Sequence, residues 1–402
     1  MKGKQSFLKV TLAGGALIAL LLVGIIVVLD DERTSETFIE DRSESTRGEA
    51  FPGMEHPEGP SVFERIVAGV DPARVLADYK KWAVYPPNSR PLEEGHVDVL
   101  RHREVPLTYQ AMPVVKDGRL QKSDYSCRLQ PERHTVTEGE VMRVMLSCMK
   151  TGVDAYVPLR IDGSRLKARA GVREFTPVQP TVNDSGLNGD DTAGDHVHTF
   201  EFRPRRSDWA RMSLDVRFAI EGDPTLATHN LSASFFSSPV APARFISIKQ
   251  DEVRDGSLIV MAELDVREPG KYTVEANLFA GEEPVAYARA EHTLHNGKQT
   301  VELSFYGKIF HDRGHAGPYT LKGLRGSLNT NVIQPEMLAG DPAEVERFLS
   351  NVREDRPKRK TMPYFNGTYN TAKYPLDVFT RAEYDSPEKR ERIAKLMGMQ
   401  SN

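Results

Sequence analysis

The spacing of apolar residues changes abruptly along the chain, and each change predicts a different element. Residues 10–29, VTLAGGALIALLLVGIIVVL, carry no charge, proline or amide. A helix of that length, at ~1.5 Å per residue, covers about the 30 Å hydrocarbon thickness of a bilayer. A soluble helix would show a polar stripe, and none is present. A cleaved leader would end in a small-residue site, whereas this run passes straight into DDERTSE, and no lipobox-type cysteine follows it. The expectation is an uncleaved single-pass anchor. Lys2, Lys4 and Lys9 precede it and Asp30, Asp31 and Glu32 follow it. The positive-inside bias then leaves residues 1–9 in the cytoplasm and the bulk of the chain in the periplasm, at an inner membrane.

Residues 30–60 hold ten acidic and three basic residues with few apolar ones, which predicts a disordered acidic stem. Residues 61–120 read as a helical hairpin and connector. Ser61 with Glu64 forms a capping box, and Asp71-Pro72 offers a second helix start. Val75, Leu76, Tyr79 and Trp82 follow on one helical face, and Pro86-Pro87 stops the ladder.

From residue 121 the period becomes two. Tyr125, Cys127 and Leu129 share one strand face, and Met142, Val144, Leu146 and Cys148 share another. The two cysteines of the chain thus point the same way from neighbouring strands. In an oxidising compartment a disulfide is expected, constraining the unfolded chain by roughly 3 kcal/mol; a buried thiol pair is the alternative. Leu214, Val216, Phe218 and Ile220 continue the inward pattern. Residues 121–240 therefore predict a first β-sandwich. A proline-rich joint at Pro239 and Pro242 leads to a second set of alternating strands over residues 241–332. It includes Leu258, Val260, Ala262 and Leu264, and an Asn296-Gly297 hairpin signal. The fold class is mainly β, with two tandem immunoglobulin-like sandwiches behind one transmembrane helix.

Gly270-Lys271-Tyr272 opening a strand, the Gly297 turn, VELSFYGKIF and Gly317-Pro318-Tyr319 resemble the Ig-like modules of exported bacterial proteins of the choice-of-anchor type. The resemblance covers roughly residues 245–330. It implies an accessory or adhesive module and brings no catalytic residue.

Residues 333–402 form a tail with short helices, one opening at Asp341-Pro342 and a last one capped by Ser386-Pro387-Glu388. Between them lie a basic cluster, DRPKRK, and a dense set of rings: Tyr364, Phe365, Tyr369, Tyr374, Phe379 and Tyr384, with Arg381 and Arg390 nearby. Such rings either pack back on the chain's own domains or grip a partner, since aromatics and arginine are favoured at interfaces.

One loop gathers candidate chemistry. NDSGLNGDDTAGDHVH brings Asp184, Asp190, Asp191, Asp195, His196 and His198 together in sequence. Of these, Asp190, Asp191, Asp195, His196 and His198 are the candidate ligands for Ca²⁺ or a transition metal, although the spacing departs from an EF-hand from its third position. His196 and His198 share parity with Phe200 and Phe202, so they also suit the end of a core strand. No other cofactor is expected. The chain lacks G-x-S-x-G, P-loop, G-x-G-x-x-G and H-E-x-x-H patterns. A net charge of −4 excludes a strongly basic nucleic-acid binder.

The sequence thus predicts a non-enzymatic, membrane-anchored envelope protein that engages another envelope component through its tail or its sandwich edges. The alternative is a type II membrane enzyme of glycosyltransferase-like layout, with sequons at Asn183, Asn230 and Asn366. The alternating βα units that a nucleotide-sugar enzyme requires are not legible here.

Overall fold

The computed structural model describes residues 71–330 and 357–400, apart from Asp117 and Leu226, together with Val345. The expected anchor, stem, Ser61 capping box and Asp341-Pro342 helix lie outside the described residues. Among the described residues no helix is long and apolar enough to cross a membrane.

Asp71 and Pro72 open α1 (Pro72–Trp82), with the Asp71 carboxylate accepting from the Ala73 amide at 2.9 Å. Its apolar stripe is only partly covered: Leu76 is buried and Tyr79 half-buried, while Val75 and Trp82 are exposed. A short strand β1 (Ser89–Pro91) and a one-turn helix α2 (Val97–Leu100) follow.

The period-two stretches are strands, and the protein is mainly β. Two five-stranded sheets come first. One is β2 (Gln110–Lys116), β3 (Arg119–Pro131), β5 (Met142–Lys150), β9 (His198–Phe202) and β8 (Thr181–Asn183), in that order. The other is β4 (Thr135–Thr137), β11 (Thr228–Ser238), β10 (Ala210–Ile220), β6 (Leu159–Ala170) and β7 (Arg173–Phe175). Their inward faces share one core that includes Leu146, Phe200, Leu214, Val216 and Phe218. Cys127 and Cys148 stand directly opposite each other on β3 and β5, fully buried in that core and joined as a disulfide.

The second pair of sheets is unequal. Three strands, β12 (Ala243–Arg254), β13 (Ser257–Val266) and β16 (Gly297–Phe305), form one sheet. The other has six strands and is centred on β15 (Glu283–Leu294), β14 (Gly270–Ala280) and β17 (Thr320–Asn329), with α3 (Gly307–Arg313) between β16 and β17. A second core fills the space between these sheets, with Leu258, Val260, Ala262 and Leu264 all fully buried.

Both edges of the six-stranded sheet are supplied from elsewhere in the chain. β1 pairs antiparallel with β15, Ser89 opposite Ala288. On the far side the tail contributes β18 (Arg359–Thr361) and β19 (Tyr369–Asn370), both paired with β17. An unpaired edge would present a row of free N–H and C=O groups, so these short strands close off a surface prone to association. The tail ends in α4 (Pro387–Gln400), which packs against α1.

Candidate functional site

Two places in the fold carry the side chains that the sequence pointed to, and a third joins the two sheet pairs. The first is the loop between β8 and β9. Its folding brings together Asp184, Asp190 and Asp195, whose nearest carboxylate oxygens lie within 4.8 Å of one another. Asp191, His196 and His198 stand outside this group; Asp191 is exposed, and His198 is already in β9, opposite Leu146. Asp184, which the loop contains but the candidate ligand set omitted, takes their place. Oxygen donors suit a hard cation, which takes six to eight of them in the case of Ca²⁺. Here each carboxylate already accepts from the loop itself. Asp190 takes the Gly186 amide at 2.6 Å and the Thr199 hydroxyl at 3.1 Å. Asp184 takes the Gly194 amide at 3.0 Å, and Asp195 the Val197 amide at 2.9 Å. The chemistry these contacts perform is closure of a glycine-rich loop.

The second place is the tail, whose rings face the chain's own second core. Phe379 is 4% exposed and lies 4.4 Å, centroid to centroid, from Phe310 of α3. Tyr369 and Tyr374 donate to the two carboxylate oxygens of Asp251 on β12, at 2.5 and 2.7 Å. Burial, together with the hydrogen bond and charge of Asp251, pushes the Tyr374 phenol up to about 12. Phe365 meets Phe245 edge-on, and Tyr384 meets Tyr306 in the same way. The tail thus crosses from the edge of β17 to β12 and spans the gap between the two sheets. At Gly256 a Cβ would lie 2.8 Å from the Thr380 amide, so the close approach there requires glycine. Arg381 and Arg390 stay exposed, Arg390 pairing with Asp385.

The third place, which sequence reasoning missed, is the meeting of the two sheet pairs. Glu138, beyond β4, accepts from Arg244 at 2.6 Å and from Arg267 at 3.1 Å, both residues of the second pair. Burial raises its carboxyl, but the hydrogen bonds and charges of the two arginines outweigh it and hold it below the usual range. Lys360 of β18 binds Glu268 at 2.7 Å and lies 4.8 Å over the Trp209 ring, whose indole N–H donates to the Arg359 carbonyl at 3.2 Å. The Thr361 amide donates to Ser238 at 2.9 Å. The connector after α2 crosses the same seam. Asn277 of β14 donates to the Val99 carbonyl at 3.1 Å, and His102 stacks on Tyr364 at 5.0 Å. Arg103 lies over the same ring and reaches Glu140 at 2.7 Å. Burial first, then the Arg325 charge, lowers the His102 imidazole to about 4. A cleft of about 400 Å³ beside the seam is lined by Arg244, Phe245, Tyr364 and Phe365. The missed signal was charge placed singly on separate segments, which no local pattern connects.

The outer edges of the first pair of sheets differ from those of the second. β3 is long, and only its residues 125–131 pair with β5. Residues 113–116 and 119–122 therefore form a two-stranded ribbon in which Val115 faces Leu120 across the strands. Both are well exposed, at 69% and 75%.

One family model matches the chain, over the second pair of sheets. Residues 242–328 match the model of the DUF4785 C-terminal domain, a domain of unknown function. This corrects the resemblance to choice-of-anchor Ig-like modules. The glycine turns and alternating strands that carried it are signals that many antiparallel β domains share. Among solved structures, the chain is similar to a DUF4785 family protein from Legionella pneumophila, at 13% identity and a TM-score of 0.37. The similarity covers 51% of this chain and 53% of that one, so this chain spans about half of its length. A likeness at that score adds nothing to what the sheets themselves establish. No curated protein matches the chain.

Proposed function

We propose that this chain is a membrane-tethered, non-enzymatic binding or scaffold protein of a bacterial envelope. Its two sheet pairs, read as tandem immunoglobulin-like sandwiches, form one rigid body outside the cytoplasm. The observation that carries the reading is the seam. Connector, linker and tail all cross it, and Glu138 ties it with two arginines. Fixing the relative orientation of two β units suits a protein that presents a surface, because relative motion is otherwise the default between domains. The buried disulfide supports an oxidising compartment. The acidic residues 30–60 supply the reach.

The rings of the tail are engaged within the chain, so the reading moves the partner surface to the sheet edges of the first pair. The ribbon there bears Val115 and Leu120, the two most exposed large apolar side chains among the described residues, and exposed apolar strand pairs are a common route to protein contact. A photo-crosslinking residue placed at Leu120 should capture an envelope protein in living cells, whereas one at exposed Glu282 should not. Equal capture from both positions, or none from either, overturns the surface assignment. Loss of the chain from membranes in alkaline carbonate overturns the tether independently.

A further inference from the structure

The helix pair α1 and α4 carries charge that sets it apart from the remainder of the chain. Its two helices hold seven basic and three acidic residues, in a protein whose net charge is −4. The covered side of α1 is narrow: Leu76 is buried, and Arg392 of α4 lies 5.9 Å over the half-buried Tyr79 ring. The next flank of the same helix leaves Val75 and Trp82 open to solvent, Trp82 at 65% exposure with the Lys81 ammonium 5.7 Å from its ring. A lone exposed valine needs no account. A largely exposed tryptophan beside a lysine, on a helix rich in basic residues, is the composition of a helix that lies in a membrane interface.

We infer that the α1–α4 pair rests on the anionic headgroups of the membrane that holds the chain, with Trp82 inserted at the interface and Lys81 and Lys395 facing phosphate. This rests on the anchor proposed above. Two observations favour a lipid surface over other occupants. The charge is complementary to anionic lipid, which attracts each nearby lysine or arginine within about one Debye length. In sequence, residues 30–71 alone separate α1 from the anchor proposed above. The acidic stem expected over residues 30–60 would have a root-mean-square span of roughly 30 Å by the scaling for flexible chains. It would hold the helix pair near the surface at an effective concentration on the order of millimolar, so a weak affinity suffices for occupancy.

The test uses the full chain with Trp209→Phe, which leaves Trp82 as its sole tryptophan. The protein is reconstituted in nanodiscs of phosphatidylcholine, with or without phosphatidylglycerol. With the anionic lipid, Trp82 emission should shift to the blue and be quenched by brominated acyl chains. High salt, or Lys81→Gln with Lys395→Gln, should reverse both effects. Should Trp209→Phe disturb the fold, the difference between the unaltered chain and Trp82→Phe isolates the same signal. Emission that ignores lipid charge and bromolipid overturns the proposal, as does protection of Trp82 from iodide before any lipid is added, which would mean that another segment of the chain covers it. If the chain fails to remain with the nanodisc, the anchor is refuted. Flotation of that chain with anionic vesicles but not neutral ones then still supports the surface contact, and no flotation with either overturns it.

Discussion

The two sheet pairs are built from similar alternating strands, yet they are completed in different ways. The first is composed of residues from one continuous stretch and has a covalent bond through its core, Cys127–Cys148, between adjacent strands. The second has no such bond, and its larger sheet takes β1 from before the first pair and β18 and β19 from the tail. One unit is constrained by limiting what its unfolded chain can do. The other is constrained by neighbours that must arrive from far away in sequence. The segment matching the DUF4785 domain, residues 242–328, is therefore only part of the unit that folds around it.

The sharpest way to break the comparison is to separate the units. Residues 105–240 should give a cooperatively unfolding monomer, whereas residues 242–330 should aggregate, because both edges of the six-stranded sheet are left bare. Size-exclusion chromatography of the two fragments decides this; a stable monomer from the second would show that its outside strands are ornamental. Next comes Phe379→Ala in the full chain. It empties a site against Phe310 and should cost about 3–5 kcal/mol, read as a fall in the urea midpoint for the second unit. Cys148→Ser should act on the first unit alone, by roughly 3 kcal/mol, separating one calorimetric transition into two.

Acid should act on the seam. His102 is held neutral by burial and by the Arg325 charge, with Arg103 adding to that and Glu275 opposing it, and its imidazole is lowered to about 4 from the ordinary 6.5. The unfolded chain then binds the proton more readily. Stability from this group is fully present above pH 6.5 and is lost as pH falls towards 4, amounting to roughly 2 kcal/mol by pH 5. His102→Phe, which preserves the stack on Tyr364, should flatten that part of the stability profile; an unchanged profile would place the acid sensitivity elsewhere.

What the sequence made legible was local. Asp71 and Pro72 start α1 because an N-cap and its proline act on their own turn. The inward faces of β10 and β13 are buried because a period of two needs no knowledge of the partner strand. The opposition of Cys127 and Cys148 followed from equal parity on neighbouring strands. The path of the tail was not legible, since nothing in Tyr369 or Tyr374 indicates that both would find Asp251, more than a hundred residues earlier. The width of the α1 stripe was misjudged for a related reason: four apolar positions predict a face, but only the packing of α4 decides how much of it is covered. In the Asp/His loop, composition names the residues, but only the backbone turn decides that Asp184, Asp190 and Asp195 are the ones that meet.

Pairing Ser89 with Ala288 and Thr320 with Asn370 also imposes an order in time. Whichever end of the chain reaches its final compartment first, one border of the six-stranded sheet must wait for the other end to follow. Assembly of the second unit is thus a late event, gated by delivery of the whole polypeptide. A chain stalled before Arg359 would present an unfinished sheet beside a first unit that had already closed.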